Sequence, residues 1–147
     1  MAATAGQIAE AGRVPNERIA TTVETSDSST FTTSETTIAS VTASLVSGRT
    51  YRIRFYGSIV STVADGQVQC RLREDNTSGT QMQGVNVFPA NTSSSGHPLP
   101  IEAEFTAVST GNKTFVATGQ RVSGTGTINM NGAATNPAYM YCDYIRG

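Results

Sequence analysis

The chain has 147 residues, the size of a single domain, and a formal net charge of −1 that gives no reason to expect nucleic acid as a partner. Serine and threonine together supply 37 residues, a bias that suits the strands and loops of an all-β protein. No charged-then-apolar leader opens the sequence and no apolar run reaches about 18 residues, so we predict a protein made in a cytoplasm, with no membrane span.

The segment 1–20 differs from the rest, because alanine, isoleucine and charged residues replace the serine and threonine background. Residues 2–11 suit a short helix that stops at Gly12, although a helix of this length is not stable alone in water. The segment has too few aliphatic side chains for a core of its own, so we predict an arm that docks on another protein; a frayed tail is the alternative. The predicted anchoring residues are Ile8, Arg13, Val14, Arg18 and Ile19.

From residue 21 onward, apolar and polar residues alternate in several segments with a period of two. In the clearest case, Tyr51, Ile53 and Phe55 alternate with Arg52 and Arg54. Alternation of this kind predicts strands with one buried face and one face in water. We predict strands near 20–25, 36–46, 50–63, 66–75, 80–88, 99–108, 112–122, 125–130 and 137–145.

The steady spacing of these segments predicts an all-β fold, an antiparallel β-sandwich or jelly roll of eight to nine strands over residues 21–147. On the polar parity, Arg49, Arg52 and Arg54 with Arg71 and Arg73 are expected to form the solvated faces of two neighbouring strands and to pair across strands with Glu102 and Glu104. The residues on the apolar parity form the predicted core: Tyr51, Ile53, Phe55, Val68, Cys70, Leu72, Ile101, Phe105 and Ile128.

The last predicted strand, 137–145, is apolar on both parities and rich in tyrosine. This pattern indicates either a central strand with an aromatic outer face or a surface that contacts another subunit. We predict a homo-oligomer with Tyr139, Tyr141 and Tyr144 at its interface.

No set of residues predicts catalysis or metal binding. His97 is the single histidine and is predicted to lie in a loop over 89–98, and no cysteines have metal-ligand spacing. Cys70 and Cys142 are predicted to be thiols in strands rather than a disulfide. The sequence therefore predicts no catalytic, cofactor-binding or metal-binding residues, and a function other than that of an enzyme.

Several stretches resemble a family of small β-sandwich virion proteins of tailed bacteriophages, especially those of actinobacteria. The family pairs a GR-x-Y-R strand with a later SGTGT turn, here at 123–127, and ends on a short acidic-aromatic strand closing in glycine, here at 143–147. The resemblance covers residues 36–147, and the N-terminal arm is the part of the chain that it covers least. The similar stretches are 48–53 with 61–63, 67–73, 114–128 and 137–147.

The resemblance implies a structural virion protein on the capsid exterior. The expected role is capsid decoration, in which the N-terminal arm and the sandwich base bind and stabilise the capsid lattice. Its expected partners are the major capsid protein, or a tail protein, and two further copies of the chain in a homotrimer. The alternative is a tail-associated or fibre module that binds a host-surface receptor or carbohydrate. The absence of tryptophan, and of evident exposed aromatic residues, speaks against that alternative.

Overall fold

The computed structural model describes residues 16–62, 66–87 and 96–146, and within these ranges the chain forms nine strands and no helix. The predicted helix over 2–11, the anchoring residues Ile8, Arg13 and Val14, and most of the predicted 89–98 loop lie outside the described residues. The strands are Glu17–Glu24 (β1), Thr36–Leu45 (β2), Thr50–Ser61 (β3), Gln67–Glu74 (β4), Gln81–Val87 (β5), His97–Thr106 (β6), Gly111–Ser123 (β7), Ile128–Asn131 (β8) and Ala138–Arg146 (β9).

Two antiparallel sheets form the layers of the molecule. The five-stranded sheet has the order β1-β9-β3-β6, with β8 also paired to β3, and the four-stranded sheet has the order β2-β7-β4-β5. The all-β antiparallel sandwich predicted from the sequence is therefore confirmed. The described residues include no helix long and apolar enough to cross a membrane.

The core lies between the two sheets and follows the predicted alternation. Tyr51, Ile53 and Phe55 of β3 are fully buried, as are Val68 and Leu72 of β4. All but one of the predicted core residues are buried, and the exception, Phe105, is half-buried and packs against the core. Its ring lies edge-on to that of Phe115, with centroids 5.1 Å apart.

The β1–β2 connection contributes a core residue that alternation does not reveal. Phe31 is fully buried, and its ring packs on Gly119 so closely that a Cβ there would lie 2.6 Å from a ring carbon. Backbone bonds join Phe31 N to Ile128 O (2.7 Å) and Arg121 N to Thr32 O (2.8 Å). We call residues 25–35 the strap, because they cross from β8 of one sheet to β7 of the other.

Strands β8 and β9 follow one another along the same edge of β3. Ser61 to Ser58 pair with 128–131, and Tyr56 to Thr50 then pair with 139–146, while β6 occupies the opposite edge. Residues 132–137 leave the sheet between the two strands, and we call them the excursion. Gly132 N donates to Asp27 Oδ1 (3.0 Å), and a Cβ on Gly132 would lie 2.3 Å from the carbonyl oxygen of Ser26, so only glycine fits at the root of the excursion.

Strand boundaries differ from the prediction at two places that matter for function. β1 begins at Glu17, because Arg18 and Ala20 pair with Asp143 and Cys142 of β9, so residues 17–20 belong to the sheet. β6 begins at His97, where it pairs with Ile59 of β3, so the prediction that His97 lies in a loop is wrong.

Candidate functional site

The outer face of the five-stranded sheet carries a row of apolar side chains that crosses the strands. On β3, the buried parity of Phe55 leaves Tyr56 pointing outward. Tyr56 pairs with Tyr139 of β9 on one side and Pro100 of β6 on the other, and Tyr139 pairs with Val23 of β1. Tyr56 is 42% exposed and Val23 is 46% exposed.

Tyr141 extends this row along β9, because residues two apart in a strand share a face. Its ring is nearly parallel to that of Tyr139, with centroids 5.8 Å apart and an interplanar angle of 14°. The ring of Tyr56 lies 6.1 Å from that of Tyr141, tilted by 56°. We call Val23, Tyr56, Tyr139 and Tyr141 the tyrosine surface. Ring contacts and the strand ladder hold its side chains in fixed positions.

A groove of about 350 Å³ adjoins the tyrosine surface, with the excursion as one of its walls. Its volume falls within the range usual for small-molecule sites. Ser58 and Asn136 supply polar groups to the groove, and the Ser58 hydroxyl accepts a hydrogen bond from Asn136 Nδ2 at 3.4 Å. The lining residues are Tyr56, Gly57, Ser58, Gly96, Pro98, Asn136, Pro137 and Tyr139.

Beyond Tyr141, the same face becomes a lattice of ion pairs. The side chain of Asp143 is only 6% exposed; its Oδ1 lies 3.0 Å from Arg18 Nε and its Oδ2 3.8 Å from Arg54 Nε. The hydrogen bond to Asp143 raises the pKa of Arg18 above its ordinary value. The guanidinium carbon of Arg18 also lies 3.6 Å from the centroid of the Tyr141 ring, which places a cation against the aromatic face.

The predicted cross-strand pairing is confirmed for Arg52 and Arg54. It is wrong for Arg71 and Arg73, because β4 lies in the other sheet and both arginines bind Glu35. Arg54 Nε lies 3.0 Å from Glu102 Oε2, and Arg52 reaches both Glu102 (3.2 Å) and Glu104 (3.3 Å). All of these glutamates are partly exposed, so each pair adds little to stability. The pairs balance the charge of the face, because each of these arginines lies against a carboxylate.

The outer face of the four-stranded sheet is covered by the end of the strap. Glu35 accepts hydrogen bonds from Arg73 Nε (2.6 Å), Arg73 Nη2 (2.9 Å) and Arg71 Nη1 (2.8 Å), and a further one from Thr118. Burial acts to raise the pKa of Glu35, but the hydrogen bonds from Arg73 and Thr118 and the charges of both arginines outweigh it and lower that pKa. The result is a compact polar cluster whose strongest donors and acceptors are already bound to one another.

A second cavity, of about 410 Å³, lies at the end of the sandwich beside Phe105 and the β6–β7 turn. It is larger than the groove, but its lysine is not free to bind a ligand. Its cation, Lys113, is bound by Glu74 at 2.9 Å and by Asp75 at 2.8 Å, and the hydrogen bonds to these carboxylates raise the pKa of Lys113. We therefore regard the tyrosine surface and its groove as the better candidate site.

The residues predicted from the sequence as an interface or an anchor are divided by the structure between two environments. Tyr139 and Tyr141 lie on the tyrosine surface, whereas Tyr144 faces the core at 7% exposure, 5.9 Å from the ring of Tyr51. Arg18 is held by its own sheet, and Ile19 packs against the core. The interface and anchoring roles of these residues stay predictions.

Sequence reasoning missed Val23, Tyr56, Ser58 and Asn136 as site residues. Tyr56 carried a usable signal, because it shares the outward parity of Arg52 and Arg54 and is therefore an aromatic residue on a wet face. The interpretation that exposed aromatic residues are not evident is corrected by Tyr56, which is 42% exposed. Asn136 carried no such signal, since only the folded excursion brings it to Ser58.

No arrangement typical of catalysis is found among the described residues. His97 is exposed at the start of β6, and burial raises the pKa of the Cys70 thiol to about 12, which keeps it from acting as a nucleophile. Cys142 is buried on β9, in the other sheet. Within the described ranges, no group of His, Cys, Asp and Glu side chains is placed to hold a metal ion.

No protein-family profile and no curated protein matches the chain. Among solved structures, a family 6 carbohydrate-binding module is similar over 91% of this chain and 100% of its own, with 16% identity and a TM-score of 0.37. A CBM4 structure is similar over 75% of this chain and 69% of its own, with 14% identity and a TM-score of 0.36. A glycoside hydrolase family 43 arabinoxylan arabinofuranohydrolase from Bacillus subtilis, solved with cellotetraose, is similar over 90% of this chain but only 28% of its own, with 14% identity and a TM-score of 0.35. Overlaps this loose carry no argument about what the chain binds.

Proposed function

We propose that this chain is a non-catalytic binding module that holds a glycan on the tyrosine surface. One observation carries the proposal: Tyr56, Tyr139 and Tyr141 stand side by side on the outer face of a rigid sheet, beside a groove of about 350 Å³. A sugar ring has apolar C–H faces and a polar rim. It therefore suits a site where aromatic faces lie next to hydrogen-bonding groups.

The groove supplies those hydrogen-bonding groups. Asn136 offers an amide and Ser58 a hydroxyl, and these two groups lie within 3.4 Å of each other beside Tyr139. Both can donate and accept, which matches the hydroxyls of a sugar. The site is also preorganised, because its aromatic residues sit on paired strands, so little conformational entropy is lost on binding.

The position of the tyrosine surface favours an extended ligand over a single sugar. The row Val23, Tyr139, Tyr56 and Pro100 crosses β1, β9, β3 and β6, and neighbouring strands lie about 4.8 Å apart. A row of that length accommodates several sugar rings in line. We infer an oligosaccharide or polysaccharide ligand that runs across the strands.

The resemblance to virion proteins would place such a module on the tail or fibre of a phage, where it would bind a polysaccharide of the host surface. Capsid decoration, the homotrimer, the major capsid protein as a partner and the location on the capsid exterior stay predictions from the sequence. Imaging of native particles that carry a labelled copy of the chain tests all of them together.

The glycan proposal is tested by isothermal titration calorimetry, in which the full chain is titrated with a panel of soluble polysaccharides and oligosaccharides. We expect at least one to bind with a Kd between about 1 μM and 1 mM. Tyr139→Ala and Tyr56→Ala should each weaken that binding by about tenfold or more. The matched control is Val122→Ala, which removes a side chain that is 50% exposed on β7.

Two results would overturn the proposal. In the first, no glycan in the panel binds. In the second, a glycan binds equally well to both tyrosine variants. Sedimentation of the same proteins separates a competing role: if the wild type is an oligomer that Tyr139→Ala dissociates, the tyrosine surface is a subunit interface, as the sequence predicts.

A further inference from the structure

The charges around the tyrosine surface cancel one another. Arg18 faces Asp143, Arg54 faces Glu102 and Asp143, and Arg52 faces Glu102 and Glu104, at distances between 3.0 and 3.8 Å. Among the described residues of this outer face, the arginines Arg18, Arg52 and Arg54 are thus matched by the carboxylates Asp143, Glu102 and Glu104.

Arg18 is the most exposed of these arginines, at 48%, and is the one that an acidic ligand would have to recruit. Recruiting it would take the closest cation from Asp143, whose side chain is 6% exposed and whose other arginine, Arg54, is 3.8 Å away. A buried carboxylate that loses its counter-ion is strongly destabilised. The guanidinium also covers a face of Tyr141, so Arg18 is committed to its own sheet.

The groove itself is lined only by uncharged residues within the described part of the chain. Its polar groups are the hydroxyl of Ser58, the amide of Asn136 and the phenols of Tyr56 and Tyr139. An anionic sugar in this groove would lose its hydration without gaining a cation, which is costly.

Together, these contacts point to the class of glycan, and the inference rests on the proposed function. We propose that the tyrosine surface selects neutral glycans and rejects acidic ones, with the groove between Tyr139 and Asn136 as the subsite that fixes one sugar ring. Uronates, sulfated sugars and sialylated or phosphorylated chains are disfavoured, because the arginines that the structure describes on this face are already paired with Asp143, Glu102 and Glu104. Tyr56 and Tyr139, which line the groove, contribute more than Tyr141, which Arg18 partly covers.

The test compares neutral probes (soluble β-glucan, xylan, mannan and dextran) with acidic probes (polygalacturonate, hyaluronate and heparin) on the full chain. We expect binding of at least one neutral probe and of no acidic probe. The Kd should change by less than about twofold between about 50 mM and 500 mM NaCl, because no ion pair forms with the ligand. Asn136→Ala should weaken binding by about fivefold to tenfold. Asn112→Ala is the matched control, since Asn112 is exposed beside the other cavity.

The outcomes separate the two proposals. Tyrosine-dependent binding of an acidic probe that weakens with salt would overturn the selection of neutral glycans and leave the glycan-binding function standing. Binding of a neutral probe that Asn136→Ala leaves unchanged would remove the groove as a subsite. Failure of every probe would overturn both proposals at once.

Discussion

The two sheets of this sandwich use their outer faces in opposite ways. On the four-stranded sheet, Glu35 at the end of the strap binds Arg71, Arg73 and Thr118, so that the polar groups satisfy one another. On the five-stranded sheet, Tyr56 and Val23 remain open to solvent. All five tyrosines of the chain lie on β3 and β9 of this second sheet. Because exposed apolar patches mark interaction sites, the contrast supports the proposal that the five-stranded sheet carries the binding face.

The largest expected effect is in the core, where the strap inserts Phe31. Phe31→Ala removes a fully buried ring that packs on Gly119 and should lower the free energy of unfolding by about 3–5 kcal/mol, measured by urea denaturation. Hydrogen exchange at Arg121 N–H, which is bonded to Thr32 O, should also speed up. Val122→Ala is the control. A loss below about 1 kcal/mol would show that the strap does not depend on Phe31.

An intermediate effect follows from Glu35. Because its pKa is lowered in the folded protein, its stabilisation is fully present above its ordinary value of 4.5 and is lost as the pH falls through the lowered pKa. Glu35→Gln should therefore cost about 2–3 kcal/mol near neutral pH, since Arg71 and Arg73 lose their counter-ion, and the difference from wild type should narrow in acid. Unfolding curves across the pH range measure this difference. Glu104→Gln, on the other face, should cost less than about 1 kcal/mol; equal costs for the two variants would contradict the comparison.

The smallest effect on stability is expected on the tyrosine surface. Tyr56→Ala should change the free energy of unfolding by less than about 1 kcal/mol, because the side chain is 42% exposed, while glycan binding weakens by about tenfold or more. Glu35→Gln should show the reverse, lower stability with unchanged binding at a temperature where it is folded. If Tyr56→Ala unfolds the protein instead, its ring serves the fold, and the two faces do not differ in role.

Alternation predicted β3 and β4 because each has one buried parity, and it placed Tyr51, Ile53 and Phe55 in the core without error. It could not reveal contacts that form through loops. The strap contacts β4 and β7, which are distant from it in the sequence. The partner of Arg71 and Arg73 is therefore Glu35, which lies in a serine- and threonine-rich stretch with no periodic pattern. The apolar character of β9 on both parities left two interpretations open: the central strand is confirmed, and the subunit interface stays a prediction. The groove depends on the excursion, which no periodic pattern reveals.

The break between β8 and β9 offers a route by which the binding site can diversify. Pairing with β3 resumes at Tyr139 after the excursion, so a change of length within 133–135 need not shift the register of either strand. Gly132 and its bond to Asp27 fix one end of the excursion, and Asn136 at the other end reaches Ser58. Exchanging a few residues at this point would therefore change the lining of the groove while leaving the tyrosine surface and the strand ladder beneath it in place.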